Sequence, residues 1–93
     1  MTVEQSMREL LMIALQPIRL DVVNESHLHA GHAGSPNSGE SHYRVLIVSP
    51  KFQGLGRLAR HRLVNDAVSS LLRDRVHALA IKAHAPGEPI NQR

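Results

Sequence analysis

The chain has 93 residues, 42 % of them apolar, a formal net charge of +3, seven histidines, two aromatic side chains and no cysteine. That length allows one domain, which buries roughly 60–65 % of its unfolded surface around a modest core. The absence of cysteine excludes disulfides, Cys-ligated zinc fingers, a thiol nucleophile and an iron–sulfur cluster held by this chain's own thiolates, and two rings (Tyr43 and Phe52) argue against a base-stacking platform.

Taken in chain order, Val3, Met7, Leu10, Leu11 and Ala14 recur at helical spacing behind Thr2, a suitable N-cap, and Pro17 ends the helix. Leu20, Val22 and Val23 make Arg19–Asn24 a short strand. Residues 25–40 are rich in Gly, Ser, Pro and Asn and form a loop longer than an ordinary hairpin connection. His42–Val48 ends in the run Val45-Leu46-Ile47-Val48, which predicts a central strand buried on both faces. A turn over Phe52-Gln53-Gly54-Leu55-Gly56 leads into one long helix over about residues 58–73, with Val64, Ala67, Val68, Leu71 and Leu72 as its apolar stripe. The last strand covers 76–83, and residues 84–93, with Pro86, Gly87 and Pro89, are expected to fray; the folded domain spans 1–86 and the flexible tail 87–93.

The order α-β-β-α-β makes the first two strands antiparallel. The βαβ unit that follows makes the second and third parallel, with a right-handed crossover. The expected architecture is α+β: a three-stranded mixed sheet with the helices packed on one face. No apolar run approaches the roughly 20 residues of a membrane span. The first 15 residues carry Glu4 and Glu9 and lack the charged-then-apolar layout of a secretory signal, so a cytoplasmic protein is expected.

Four histidines, His27, His29, His32 and His42, fall within sixteen residues. In a parallel pairing the third strand starts at the same end of the sheet as the second, so His77 faces the loop that carries His27, His29 and His32. Neutral imidazole is a good ligand for zinc, copper, nickel and iron. His-x-His-x-x-His is nevertheless no zinc-finger or zincin spacing, and a polar loop rich in histidine accounts for it equally well.

Residues 1–49 carry three basic and five acidic side chains, whereas residues 50–75 carry six basic and two acidic. Within the basic segment, Arg57, Arg60, His61 and Arg62, with Lys51 just upstream, sit at a helix start after a glycine turn. That arrangement can hold phosphate through side-chain charge and free N–H groups, or it is simply a solvated helix end. The pair Ser41-His42 has no third member or oxyanion turn, and no carboxylate pair is placed for acid–base work, so a non-enzyme is expected.

Asn24-Glu25-Ser26, His29-Ala30-Gly31-His32, Glu40-Ser41-His42-Tyr43, Val48-Ser49, Phe52-Gln53-Gly54-Leu55, Arg60-His61-Arg62-Leu63-Val64 and Val76-His77-Ala78-Leu79 occur in that order. Together they resemble the BolA family over residues 7–86. The resemblance implies an αββααβ fold similar to the type II KH domain. It also implies two roles. One is partnership with a monothiol, CGFS-type glutaredoxin, sharing a glutathione-bound [2Fe–2S] cluster that the isolated chain does not hold. On this chain the implied ligands are His77 and His29, with His32 in reserve for the loop position. The other role is a DNA-binding transcriptional regulator of stress response, cell shape and biofilm, acting on double-stranded DNA through Lys51, Arg57, Arg60, His61 and Arg62. The isolated chain is expected to be a monomer or weak dimer, and the histidine and basic regions to form one continuous surface. The KH-type Gly-x-x-Gly loop is absent, and proline stands where the family's tail carries an aromatic.

Overall fold

A computed structural model describes residues 2–25, 42–74, 76 and 78–90. The first helix, α1 (Val3–Leu15), opens with a reciprocal capping box: the Gln5 N–H donates to Thr2 Oγ1 (3.1 Å) and the Thr2 N–H to Gln5 Oε1 (2.8 Å). Its buried line is Val3, Met7, Leu11 and Leu15, a strict spacing of four, and Ala14 lies outside it. The helix ends at Gln16 in the left-handed region (φ 45°), with its N–H on the Met12 carbonyl, before Pro17.

Two strands follow, β1 (Arg19–Asn24) and β2 (His42–Val48), paired antiparallel from Arg19 opposite Val48 to Asn24 opposite Tyr43. A 3₁₀ turn over Pro50–Phe52 leads to α2 (Arg57–Ala67), α3 (Ser69–Asp74) and β3 (Ala78–His84). β3 lies parallel to β2, from His42 opposite Ala78 to Val48 opposite His84, so the sheet order is β1-β2-β3. This is the expected α+β architecture, in the αββααβ order.

The core lies between the helices and one face of the sheet. Val22, Tyr43, Val45 and Ile47 meet Val3, Met7, Leu11 and Leu15 of α1, Val64, and Val68 after α2, with Phe52 fully enclosed. Ser49, completely buried, joins the layers: its Oγ donates to the Leu15 carbonyl (2.6 Å) and accepts from the Lys51 N–H (3.1 Å), while its N–H donates to the His84 carbonyl (3.0 Å). One orphan carbonyl of α1 is thereby satisfied inside the protein.

Three expectations need correction. β2 is central, but it is not buried on both faces. Arg44 is exposed and Leu46 half-buried, on an open face shared with Arg19, Asp21, Val23 and Lys82. The apolar run arises because Val48, at the strand end, is buried along with the inward Val45 and Ile47. The single helix over 58–73 is two helices that break at Val68 (φ −112°, ψ 20°), a β-branched residue followed by Ser69-Ser70, all weak helix formers. Residues 84–88 are anchored, not frayed: His84 ends β3, Ala85 is fully buried and Glu88 is ion-paired.

Candidate functional site

One end of the sheet collects the end of β1 and the starts of β2 and β3. The Glu25 N–H donates to the His42 carbonyl (2.8 Å), Arg44 pairs with Glu25 (3.3 Å), and His42 lies opposite Ala78. In sequence, residues 26–41 join Glu25 to His42, and residue 77 precedes Ala78. His27, His29, His32 and His77 themselves lie outside the described residues. Among the described residues no group of three His, Asp or Glu side chains could hold a metal ion. In donor chemistry the chain offers imidazoles and no thiolate. That fits a share of an iron site whose sulfur ligands come from elsewhere.

The basic segment lies at the other end of β3. α2 begins after Gly56, which provides no side-chain cap, so the first N–H groups of the helix lack a side-chain acceptor. Arg57 and Arg62 are exposed, as is Lys51 in the 3₁₀ turn. Arg60 is different. Its Nε donates to the Leu55 carbonyl (2.8 Å), its Nη1 to the Ala83 carbonyl (3.2 Å) and Glu88 Oε1 (2.6 Å), and its Nη2 to Glu88 Oε2 (2.8 Å). The guanidinium side chain is only 13 % exposed. Glu88 Oε1 also accepts from the Ala85 N–H (3.0 Å). The Arg60 hydrogen bonds, then the Ala85 N–H, hold the Glu88 carboxyl at about 2, and Glu88 in turn raises Arg60. Arg60 thus ties the turn before α2, the end of β3 and the following segment together. Four of its five N–H groups are committed to these bonds, which leaves it little to offer an external phosphate.

Arg57 and His61, one helical turn apart, form one wall of a shallow groove of about 360 Å³; Ile81, Lys82, Ala83 and His84 of β3 form the other. Burial, and then the neighbouring Arg57 charge, push the His61 pKa down. The Nε2 of His84 is buried and has no hydrogen-bond partner among the described residues, a state that costs about 1–3 kcal/mol for a polar group. Lys82 and His84 escaped the sequence reading, which placed His84 in the tail. The available signal was the line Arg57–His61–Val64–Val68, at steps of four, three and four, whose inner half packs into the core next to β3, so that its outer half overhangs the same strand.

A sequence model of the family described as BolA-like protein matches residues 11–88. The chain is 48 % identical over 86 residues to "BolA-like protein 1" of Mus musculus, covering 92 % of this chain and 60 % of that longer protein. It is 44 % identical over 73 residues to the "DNA-binding transcriptional regulator BolA" of Vibrio cholerae, covering 78 % of this chain and 65 % of that one. The solved structure of BolA1 from Arabidopsis thaliana superposes with a TM-score of 0.85 at 37 % identity, over 97 % of this chain and 98 % of the other. With its αββααβ order, its mixed sheet and a family match that covers nearly all of the described core, the chain belongs to the BolA-like family.

Proposed function

We propose that the chain is a non-enzymatic, cytoplasmic partner of a monothiol glutaredoxin, with which it shares a glutathione-bound [2Fe–2S] cluster in iron–sulfur trafficking or iron and redox regulation. The observation that carries this reading is the parallel β2–β3 register. It sets His42, which follows the segment bearing His29 in sequence, opposite Ala78, which follows His77, in a chain without cysteine. In this reading His77 and His29 are the ligands, with His32 in reserve. The cluster, when bound, supplies redox-active iron whose potential is raised by imidazole ligation. The test is to mix the protein with a cluster-loaded monothiol glutaredoxin under anaerobic conditions. The expected outcome is a change in visible absorption and circular dichroism that His77→Ala abolishes. An unchanged spectral response in that variant would overturn the ligand assignment.

A second reading, a double-stranded-DNA-binding regulator, is favoured by the uncapped start of α2 beside Arg57 and by the description of the Vibrio cholerae relative. Each phosphate contact steepens log K against log salt by about 0.9. Arg57→Ala is expected to weaken binding and flatten that slope by about one contact's worth. A slope identical in wild type and variant would remove Arg57 from the interface.

A further inference from the structure

We infer that the groove between the first turn of α2 and the last residues of β3 is a binding site for a phosphate group, held by Arg57, Lys82, His84 and His61. The inference is separate from the cluster-partner reading. It deepens the nucleic-acid reading, on which it rests only for the identity of the molecule that carries the phosphate.

Three independent features converge on this groove. The first is charge. Among the described residues the groove's lining holds an arginine, a lysine and two histidines and no carboxylate. The carboxylate beside His84, Glu88, is already neutralised by the short, two-pronged contact with Arg60. An incoming anion therefore meets no uncompensated negative charge on the groove wall. The second is the helix terminus. Arg57 is the first residue of an 11-residue helix whose cap, Gly56, makes no side-chain hydrogen bond, so the amide groups at the edge of the groove await an acceptor. The third is His84. Its buried Nε2 is a polar atom without a partner among the described residues, on the strand that forms the groove wall.

The mixture of donors selects the ligand class. A carboxylate is planar and is satisfied by a single guanidinium fork, as Glu88 is by Arg60. A phosphate presents oxygens in several directions. It matches a guanidinium, an ammonium, imidazoles and helix amides arranged on two sides of an open groove. The groove is shallow and solvent-facing, so a phosphate carried on a larger molecule can enter it. The same reasoning moves the phosphate contact away from Arg60, which is committed internally, and away from Arg62, which does not line the groove.

The test is a two-dimensional NMR titration of the full chain with inorganic phosphate against sodium chloride at matched ionic strength. Phosphate is expected to shift the amides of Arg57, Leu58 and Ala59 and the ring of His84 saturably. It is also expected to raise the His61 pKa, which responds to the anion against the charges around it: Arg57 on α2, Lys82 and His84 on β3, and the Arg60–Glu88 pair. Arg57→Gln should weaken the phosphate response by about fivefold or more, and Arg73→Gln, which removes an equal charge from exposed α3, should stay within about twofold of wild type. The inference fails if these amides do not respond saturably, if Arg57→Gln binds as wild type does, or if Arg73→Gln is weakened equally. A short DNA duplex then identifies the carrier. Displacement of phosphate from the same residues assigns it to a nucleic-acid backbone. Phosphate binding that a duplex leaves untouched assigns it to a small phosphorylated molecule, and the DNA reading falls while the site stands.

Discussion

Arg60 and Glu88 show how a residue's role is fixed by a partner far along the chain. They stand 28 positions apart, and Glu88 lies in a proline- and glycine-containing stretch with no periodic pattern. Helical spacing puts Arg57 and Arg60 on the stripe of Val64 and Val68 and Arg62 off it, but nothing local separates Arg60 from Arg57, and all three are expected to meet phosphate. Docking of the segment after β3 separates them. The pair also has a pH signature. The folded Glu88 carboxyl sits at about 2 against its ordinary 4.5, so the folded state favours the ionised form. For a depressed carboxyl, the stabilisation is fully present above the unfolded value and is lost as pH falls through the folded one. Wild type should therefore exceed Glu88→Gln in stability by a constant margin above about pH 4.5, and that margin should shrink between pH 4.5 and 2. Urea unfolding of both proteins across pH 2–7 checks this. A margin that stays flat down to pH 2 would show that Glu88 ionisation is not coupled to the fold.

At the scale of elements, the strands and α1 were legible because their signals are local: apolar residues at helical spacing behind Thr2 in α1, and short apolar runs in β1 and β2, although the run in β2 hid the alternation that leaves Arg44 and Leu46 on the open face. The division of α2 from α3 was not. Val64, Val68, Leu71 and Leu72 continue one helical stripe across the break, and only the turn at Val68 separates them. The start of α2 also carries information that composition hides. Gly56 has φ −75° and ψ 172°, ordinary extended backbone, and an added Cβ would meet nothing within 4 Å. The position tolerates any residue, so glycine there forgoes a side-chain cap without any conformational need. Gly56→Asp should add a cap and a favourable charge at the helix N-terminus, stabilising the fold by about 0.5–1 kcal/mol. The same carboxylate would occupy the amides and repel an anion, so phosphate affinity should fall while the thermal midpoint rises. Two changes of opposite sign separate a binding feature from a structural one; if both affinity and stability rise, the uncapped terminus has no part in anion binding.

For the molecule as a whole, the parallel pairing of β2 with β3 decides how its two candidate regions relate. His42 and Ala78, which follow the histidine-bearing stretches in sequence, pair at the start of β3, whereas the basic groove adjoins its later residues Ile81–His84. The groove wall, Ile81–His84, lies three to six residue steps beyond Ala78, about 10–20 Å along the strand; the histidines that the expectation of one continuous surface also involves lie outside the described residues. The sequence already contained the order of elements that dictates this arrangement. What it misplaced was the end of β3: the strand expected over 76–83 runs from Ala78 to His84. Two sites that share no ligand should respond independently to substitution. Arg57→Gln should weaken phosphate or duplex binding and leave the circular dichroism of a mixture with cluster-loaded monothiol glutaredoxin unchanged. His77→Ala should do the reverse. If either substitution moves both readouts, one partner's occupancy is transmitted along β3 or through the Arg60–Glu88 tie to the other. The double variant then distinguishes the cases, since independent regions give additive losses and coupled regions do not.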